Sequence, residues 1–498
     1  MFISLILLII FLIFFISLKK NNKCSILPPG PKAIPFFGNL IQIGTQPHLS
    51  IQKLSKIYGG AMSLWFGKVH TVILSSPQYI KEVIVNQSQY STDRYLMETA
   101  LIIGENIDIL FSNGEYWKKY RLLLLSSMSK LKSHIVLNET ISNEAYRLSQ
   151  CFIELQERVS GDIIIDPIQY FKNFTLNVIM LILYSDRSDY HQDGSQNIVI
   201  DAVNYVEKEL SVGNMADLFP ILKPFFKNSR NNLKSALGRV WDFSEKSIEC
   251  HRKALLETGK IKDMMDIMLS EIDKMPSDQA SFYNNEGLVK VCSDLLISGT
   301  ETSASTMSWL LVFLVNNPNI QQKIRAELRQ VLQDEGMVVA DRLEISHRSK
   351  TLFFNACIKE VLRIRPVGAL ALPRVMNHDV TVGDYIIPKG SQVLMNVYGL
   401  AMDDTLWVNP EEFNPYRWLN ELDTVSQYSD YKNITFGVGS RSCIGSTLAK
   451  DEIFLGVGNM ILNYNIESIN QKPLDEKGHF GIALSPNSYK IKLTKLNI

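Results

Sequence analysis

Residues 287–316 limit the architectures open to this chain more than any other stretch. The run is apolar on nearly every side of a helix. A helix without a polar face has to lie inside a large protein, surrounded by other elements. Asn317-Pro318 closes it, because the residue before a proline is pushed out of the helical region. A second helical pattern covers 349–364, ahead of Arg365-Pro366. Strand-like alternation appears in 379–390 and in 392–397. The expected fold class is mainly α with a smaller β-rich region.

At about 150 residues per domain, 498 residues would divide into about three units. No internal repeat and no low-complexity linker follows residue 40, however, which favours one large domain over 41–498. Apolar residues at 46% and charged residues at 20% exclude a disordered chain and leave material for a large core. Lys+Arg and Asp+Glu are both 51, so the basic excess of a nucleic-acid binder is missing. The six cysteines, at 24, 151, 250, 292, 357 and 443, form no CxxC pair, and a disulfide framework does not suit so long a chain. The histidines show no zinc-type spacing.

Residues 1–18 read MFISLILLIIFLIFFISL, with only Ser4 and Ser17 polar. As a helix they would span ~27 Å, close to the ~30 Å hydrocarbon core of a bilayer. A cleaved signal peptide is the rival reading, but there is no basic n-region and no small-x-small cleavage site. The segment is therefore read as a single transmembrane anchor. Lys19, Lys20 and Lys23 follow at once and hold the rest of the chain on the cytoplasmic side. The four N-x-S/T sequons, beginning at Asn86, Asn138, Asn173 and Asn433, are accordingly expected to stay unmodified. Residues 19–40 form a basic, proline-rich hinge in which Pro28, Pro29, Pro31 and Pro35 favour a stiff, extended path. It reads either as a linker or as a strut that orients the domain on the membrane. Cys24 at the membrane edge is read as an ordinary juxtamembrane cysteine rather than a palmitoylated one.

Residues 436–445 read Phe-Gly-Val-Gly-Ser-Arg-Ser-Cys-Ile-Gly. Three glycines let backbone pass close to something flat and large. A single cysteine in such a loop offers a thiolate to iron, as in thiolate-ligated haem, and backbone N–H groups around it would tune the metal. Arg441 is suited to a carboxylate. The bland alternative is a glycine-rich turn with a buried free cysteine.

Here the chain resembles the cytochrome P450 family, the haem-thiolate monooxygenases, whose haem loop reads Phe-Gly-x-Gly-x-Arg-x-Cys-x-Gly. The resemblance runs over essentially the whole chain and implies the cytochrome P450 fold, with haem as cofactor and Cys443 as the axial iron ligand. Phe436, Gly437, Arg441 and Gly445 would line the haem with it. In Lys-Glu-Val-Leu-Arg, Glu360 and Arg363 share a helical face, and Arg417 follows in Asn-Pro-Glu-Glu-Phe-Asn-Pro-Tyr-Arg-Trp. The resemblance makes these three a buried structural network behind the haem loop; taken alone, the first two would read as a solvated surface pair. Trp117 and Arg121 share a face in Trp-Lys-Lys-Tyr-Arg and would hold a haem propionate, with Arg374 of Leu-Pro-Arg as another ligand. Core packing is the alternative for Trp117.

Within the long apolar helix lies Ser298-Gly-Thr-Glu-Thr-Ser303. An acid beside a threonine there is costly unless it has work to do. The threonine can bond back to the i−4 carbonyl, and the glycine would loosen the helix locally. The resemblance makes Glu301 the link to solvent protons and Thr302 the residue that positions dioxygen for protonation. The family more often has alanine where this chain has Ser298. No Rossmann fingerprint, P-loop or flavin motif is evident, so electrons must come from another protein. For a membrane-anchored member the resemblance implies the NADPH-cytochrome P450 reductase of the endoplasmic reticulum, with Lys118 and Lys119 turned towards it. Small residues at Gly368, Ala369 and Ala371 suggest a roomy pocket, and aliphatic neighbours suggest a small lipophilic substrate. Two other classes remain open from sequence: an O₂-independent isomerase or dehydratase of the same family, and a non-enzymatic haem-binding sensor. The large apolar residues of 215–226, broken by Pro220 and Pro224, are expected to dip into the bilayer surface.

Overall fold

The structure, a computed structural model, describes residues 26–133, 136–159, 161–190, 198–211, 215–337, 342–419 and 431–496. The apolar segment 1–18, Cys24 and the basic part of the hinge lie outside the described residues. Among the described residues, no helix is long and apolar enough to cross a membrane.

The elements that position the site are α1 (Pro47–Tyr58), the hairpin of β1 (Ala61–Phe66) and β2 (Val69–Leu74), α2 (Glu98–Gly104), α3 (Gly114–Ser133), α4 (Pro167–Tyr184), α5 (Lys227–Thr258), α6 (Asn285–Asn316), α7 (Leu352–Ile364), β3 (Arg374–Val375), β4 (Gln392–Met395) and α8 (Ser446–Asn463). The fold is mainly helical, with the strands gathered into small sheets, as the sequence leads one to expect. One sheet has the order β1-β2-β4-β3, with β2 parallel to β4 and the other pairs antiparallel. A second joins Ile163–Ile165, Ile491–Lys495 and Tyr464–Ser468.

α6 is the expected central helix. Asn284 caps it, its side chain accepting from Gly287 N at 2.8 Å, and it ends at Asn316 before Pro318. Between Ser303 and Leu314 every residue is buried. It lies along α4, and a Cβ at Gly299 would stand 2.3 Å from Ile179 Cδ1. The helix runs unbroken through 298–303, so Gly299 allows close approach of α4 rather than loosening a turn.

The elements predicted elsewhere differ at their ends. The helix expected over 349–364 starts at Leu352, because 345–350 forms a separate 3₁₀ turn. The strand expected over 392–397 stops at Met395, where Asn396 caps a short helix, Val397–Ala401, by accepting from Gly399 N. The stretch 379–390 is a hairpin, Val380–Val382 against Tyr385–Ile387, turning at Gly383 with φ +54°. The proline segment is docked on the hairpin rather than free. Ser63 N donates to Pro29 O at 2.9 Å, and Trp65 N donates to Asn39 Oδ1 at 2.8 Å.

Behind the cysteine loop, Glu360 receives Arg363 Nε and Nη2 at 2.9 and 2.8 Å. It also receives Arg417 Nε at 3.0 Å and Trp418 Nε1 at 2.8 Å. Glu360 and Arg363 are fully buried, unlike a solvated surface pair. Arg363 Nη1 donates to Ala401 O at 2.6 Å, and Thr435 Oγ1 donates to Leu362 O at 2.8 Å, which ties the network to the start of the loop. Removing one partner of such a network strands buried charge. Glu360→Ala is therefore expected to lower stability by about 3–5 kcal/mol, read as the shift of the urea unfolding midpoint against the wild type.

Candidate active site

The loop before α8 turns on two glycines in the left-handed region, Gly437 at φ +70° and Gly439 at φ +72°. A side chain at Gly439 would also press on Ile84 O, at 3.0 Å. Cys443 N donates to Phe436 O at 2.8 Å and closes the loop. Cys443 is exposed. Burial raises its pKa, while a hydrogen bond from the Gly445 backbone and the charges of Arg121 and Lys450 oppose that shift. A Cβ at Gly445 would meet nothing within 4 Å, so the loop borders open space.

Four arginines surround that space. Arg121 Nη2 donates to Ser442 O at 2.7 Å, directly beside the cysteine. Arg441 donates to Thr92 O, Ile109 O and Ser112 O, and lies 3.8 Å from the Trp117 ring. Arg374 donates to Ser91 O and Val438 O. The fourth, Arg94, donates to Leu110 O and Leu372 O. Burial and then the neighbouring arginines lower their pKa values: Arg374 to about 10, Arg441 to about 9, and Arg94 well below the usual range. No ion pair within 4.0 Å joins any of the four to a carboxylate among the described residues. Arg374 Nε and Trp117 Nε1 are buried with no partner. Buried cations and donors left this way call for anionic acceptors. The two propionates of a haem lying against Cys443 are such acceptors, so the residues fit the group that the resemblance implies.

The structure brings Trp117, Arg121, Arg441 and Cys443 together, with Arg374 bonded to the same loop, and adds Arg94, which the sequence did not single out. Nothing local marks Arg94; its role comes from an isolated bridge to Arg374. Asp294 and Asp108 were missed as well. Asp294 Oδ2 accepts from Ile109 N and Leu110 N at 2.8 and 3.0 Å. Asp108 Oδ1 accepts from Phe111 N and Ser112 N at 2.8 and 2.6 Å. The same loop's carbonyls receive Arg441 and Arg94, so its peptides link two buried acids to two buried arginines. Burial, and then Asp108, holds the Asp294 carboxyl well above the usual range.

On α6, Leu295, Ser298 and Thr302 remain partly or fully exposed among buried neighbours, at i, i+3 and i+7. They share one helical face. Thr302 Oγ1 donates to Ser298 O at 2.7 Å, and Ser298 Oγ to Asp294 O at 2.6 Å. Glu301 stands about 100° round the helix from Thr302. Its carboxylate meets Lys172 Nζ at 2.6 Å and accepts from Ser305 Oγ at 2.8 Å. It lines a 350 Å³ cavity with Asp166, Lys172, Asn204, His479 and Ser485. The two residues do not act as one adjacent pair: one faces the open strip, the other an outer cavity. Lys118 and Lys119, expected to face a partner, are both engaged: Lys118 with Glu115 at 3.0 Å, Lys119 over the Phe282 ring at 4.2 Å.

The chain also carries a buried acid that no motif announced. Glu452 on α8 hydrogen-bonds Ser303 on α6, and burial raises its pKa to about 8. An exposed glutamic acid titrates near ~4.3. The folded protein therefore keeps a proton that the unfolded chain releases, so this contribution is full below about pH 4.3 and is lost as pH rises towards 8, at ~1.4 kcal/mol per unit. Glu452→Gln is expected to flatten the fall in melting temperature between about pH 5 and about pH 8, measured by thermal scans across that range.

A family profile described as Cytochrome P450 matches residues 28–493. The chain is 52% identical over 501 residues to "Probable cytochrome P450 516A1" of Dictyostelium discoideum, covering 100% of both chains. It is 37% identical to "Probable cytochrome P450 516B1" of the same organism, covering 98% of each.

Proposed function

This chain belongs to the cytochrome P450 family and is a haem-dependent monooxygenase; within that class we propose a membrane-anchored enzyme that hydroxylates a lipophilic small molecule with electrons from NADPH through a separate reductase. The observation that carries the reading is the exposed Cys443 in its glycine loop, with four neighbouring arginines that have no ion-pair partner among the described residues. Haem bound through a cysteine thiolate supplies an electron-rich iron that splits O₂, one oxygen atom going to substrate and the other leaving as water with two electrons and two protons.

The protein's own residues bind, orient and move protons. Cys443 holds the iron, and the Gly445 N–H tempers the charge on sulfur. Trp117, Arg94, Arg121, Arg374 and Arg441 hold the propionates. Thr302 spends its own proton on Ser298 O, so its oxygen is free to accept a hydrogen bond on the open strip. Glu301, next to Thr302 in the chain, lines an outer cavity, and it has to leave Lys172 before it can pass a proton inward. Leu295 gives the strip an apolar side chain that suits a lipophilic substrate.

The membrane reading rests on apolar side chains turned outward: Phe225 is 83% exposed, and Ile26 and Phe36 are more than half exposed. Phe219, expected to insert with them, is instead buried and stacks on Phe36 at 4.8 Å, which fastens the 215–226 segment to the proline segment. The endoplasmic reticulum, with the domain on its cytoplasmic face, is the location that an N-terminal anchor followed by lysines favours.

Three measurements test the proposal. With the reductase and NADPH, Thr302→Ala is expected to retain the haem spectrum but release most electrons as hydrogen peroxide, whereas Cys443→Ser should lose the thiolate-type Soret band of the reduced carbon-monoxide complex. Tight coupling in the first, or an unchanged band in the second, contradicts the assignment. In vesicles of brominated lipid, the indole added by Phe225→Trp is expected to be quenched well beyond the native tryptophans. Equal quenching would place residue 225 outside the bilayer.

A further inference from the structure

A second cavity, of 540 Å³, opens beside the proline segment. Its walls are the proline segment at Leu27, the β1–β2 hairpin from Trp65 to His70, Tyr95, Asp217 with Leu218, and the turn at 388–391. None of these belongs to the Cys443 loop or to α6. The volume is in the ~300–1,000 Å³ range of small-molecule sites, which pair an apolar lining with a few placed polar groups.

The lining divides by chemistry. Leu27, Val69, Leu218 and Pro388 supply apolar surface, beside a Trp65 that is 37% exposed. Lys68 and Lys389 are exposed at the rim, and neither has an acidic partner among the described residues. Asp217 is the one carboxylate in the lining, and it is already satisfied: Thr99 N and Thr99 Oγ1 each donate to it at 2.8 Å. His70 lies between Ser391 Oγ at 2.8 Å and Ser63 Oγ at 3.2 Å, and burial lowers its pKa, which keeps it neutral. The site therefore combines apolar side chains with two exposed ammonium groups at its edge, beside one hydrogen-bonded carboxylate in its wall.

We propose that this cavity is a peripheral binding site for a single-chain amphiphile with an anionic head, a fatty-acid carboxylate in the simplest case. Lys68 and Lys389 take the carboxylate, and the alkyl chain lies along Leu27, Val69 and Leu218. Water surrounds both ammonium groups, so each contact is modest, and the apolar trough provides the rest of the binding free energy. The site goes beyond the proposed monooxygenase reading and does not depend on the identity of that substrate.

The test uses the full-length holoenzyme in zwitterionic nanodiscs, with 4-phenylimidazole blocking the haem cleft. The probe is 11-(dansylamino)undecanoate, followed by fluorescence and competed with octanoate or octan-1-ol. Saturable one-to-one binding is expected, with the Soret spectrum unchanged. Octanoate should displace the probe far better than octan-1-ol, and the double variant Lys68→Gln/Lys389→Gln should bind it about tenfold more weakly. Comparing variants in identical nanodiscs cancels partitioning into lipid. Equal affinity in the double variant, equal competition by the alcohol, or a Soret shift on probe binding would each overturn the proposal. Addition of phosphatidylglycerol vesicles that displaces the probe while octanoate does not would show a lipid head-group surface instead, and overturns it too.

Discussion

A helix that cannot face water has to be surrounded, and the rest of this fold is the means of surrounding α6. Several of its carbonyls and polar side chains are sockets for distant segments. Thr175 of α4 donates to Thr300 O, Trp309 donates to Leu484 O, and Tyr489 donates to Ser308 O. Asp294 reaches furthest: by taking the N–H groups of Ile109 and Leu110 it fixes a loop whose carbonyls hold Arg441, two residues from the cysteine. A contact made in the middle of α6 thus reaches the opposite wall of the cleft through hydrogen bonds alone. In a buried setting such networks are stiff, because a lost partner strands its mate without water.

The same helix separates two tasks that the sequence writes side by side. Residues 301 and 302 are neighbours in the chain, yet helical geometry sends them to different compartments. Thr302 lies on the strip with Leu295 and Ser298, and Glu301 lines a cavity with Lys172 and Ser485. The two side chains make no direct contact in the structure: Thr302 bonds back to Ser298 O, while Glu301 is held by Lys172 and Ser305.

Much of this was legible in sequence, for unequal reasons. The central helix and the cysteine loop were readable because each rests on local chemistry: an unbroken apolar run in one, glycines beside a cysteine in the other. Glu360, Arg363 and Arg417 were readable only through the family pattern, since nothing local says that such a pair is buried. Arg94, Asp108, Asp294 and Glu452 left no trace, because their character comes from burial and from partners far away in the chain. Gly299 shows the converse. Its helix position suggested flexibility, while the reason for it is the Ile179 side chain on another helix.

The arginine ring has a consequence outside catalysis. Three buried guanidinium groups whose pKa values are lowered by burial and then by neighbouring arginines are a standing electrostatic load on the polypeptide. Two carboxylates delivered on one rigid ligand relieve it, so the ligand's binding free energy is also folding free energy. Newly made chains that have not met it would open more often and be cleared by proteolysis. The cellular amount of this protein would then follow the supply of iron porphyrin as closely as the supply of its messenger.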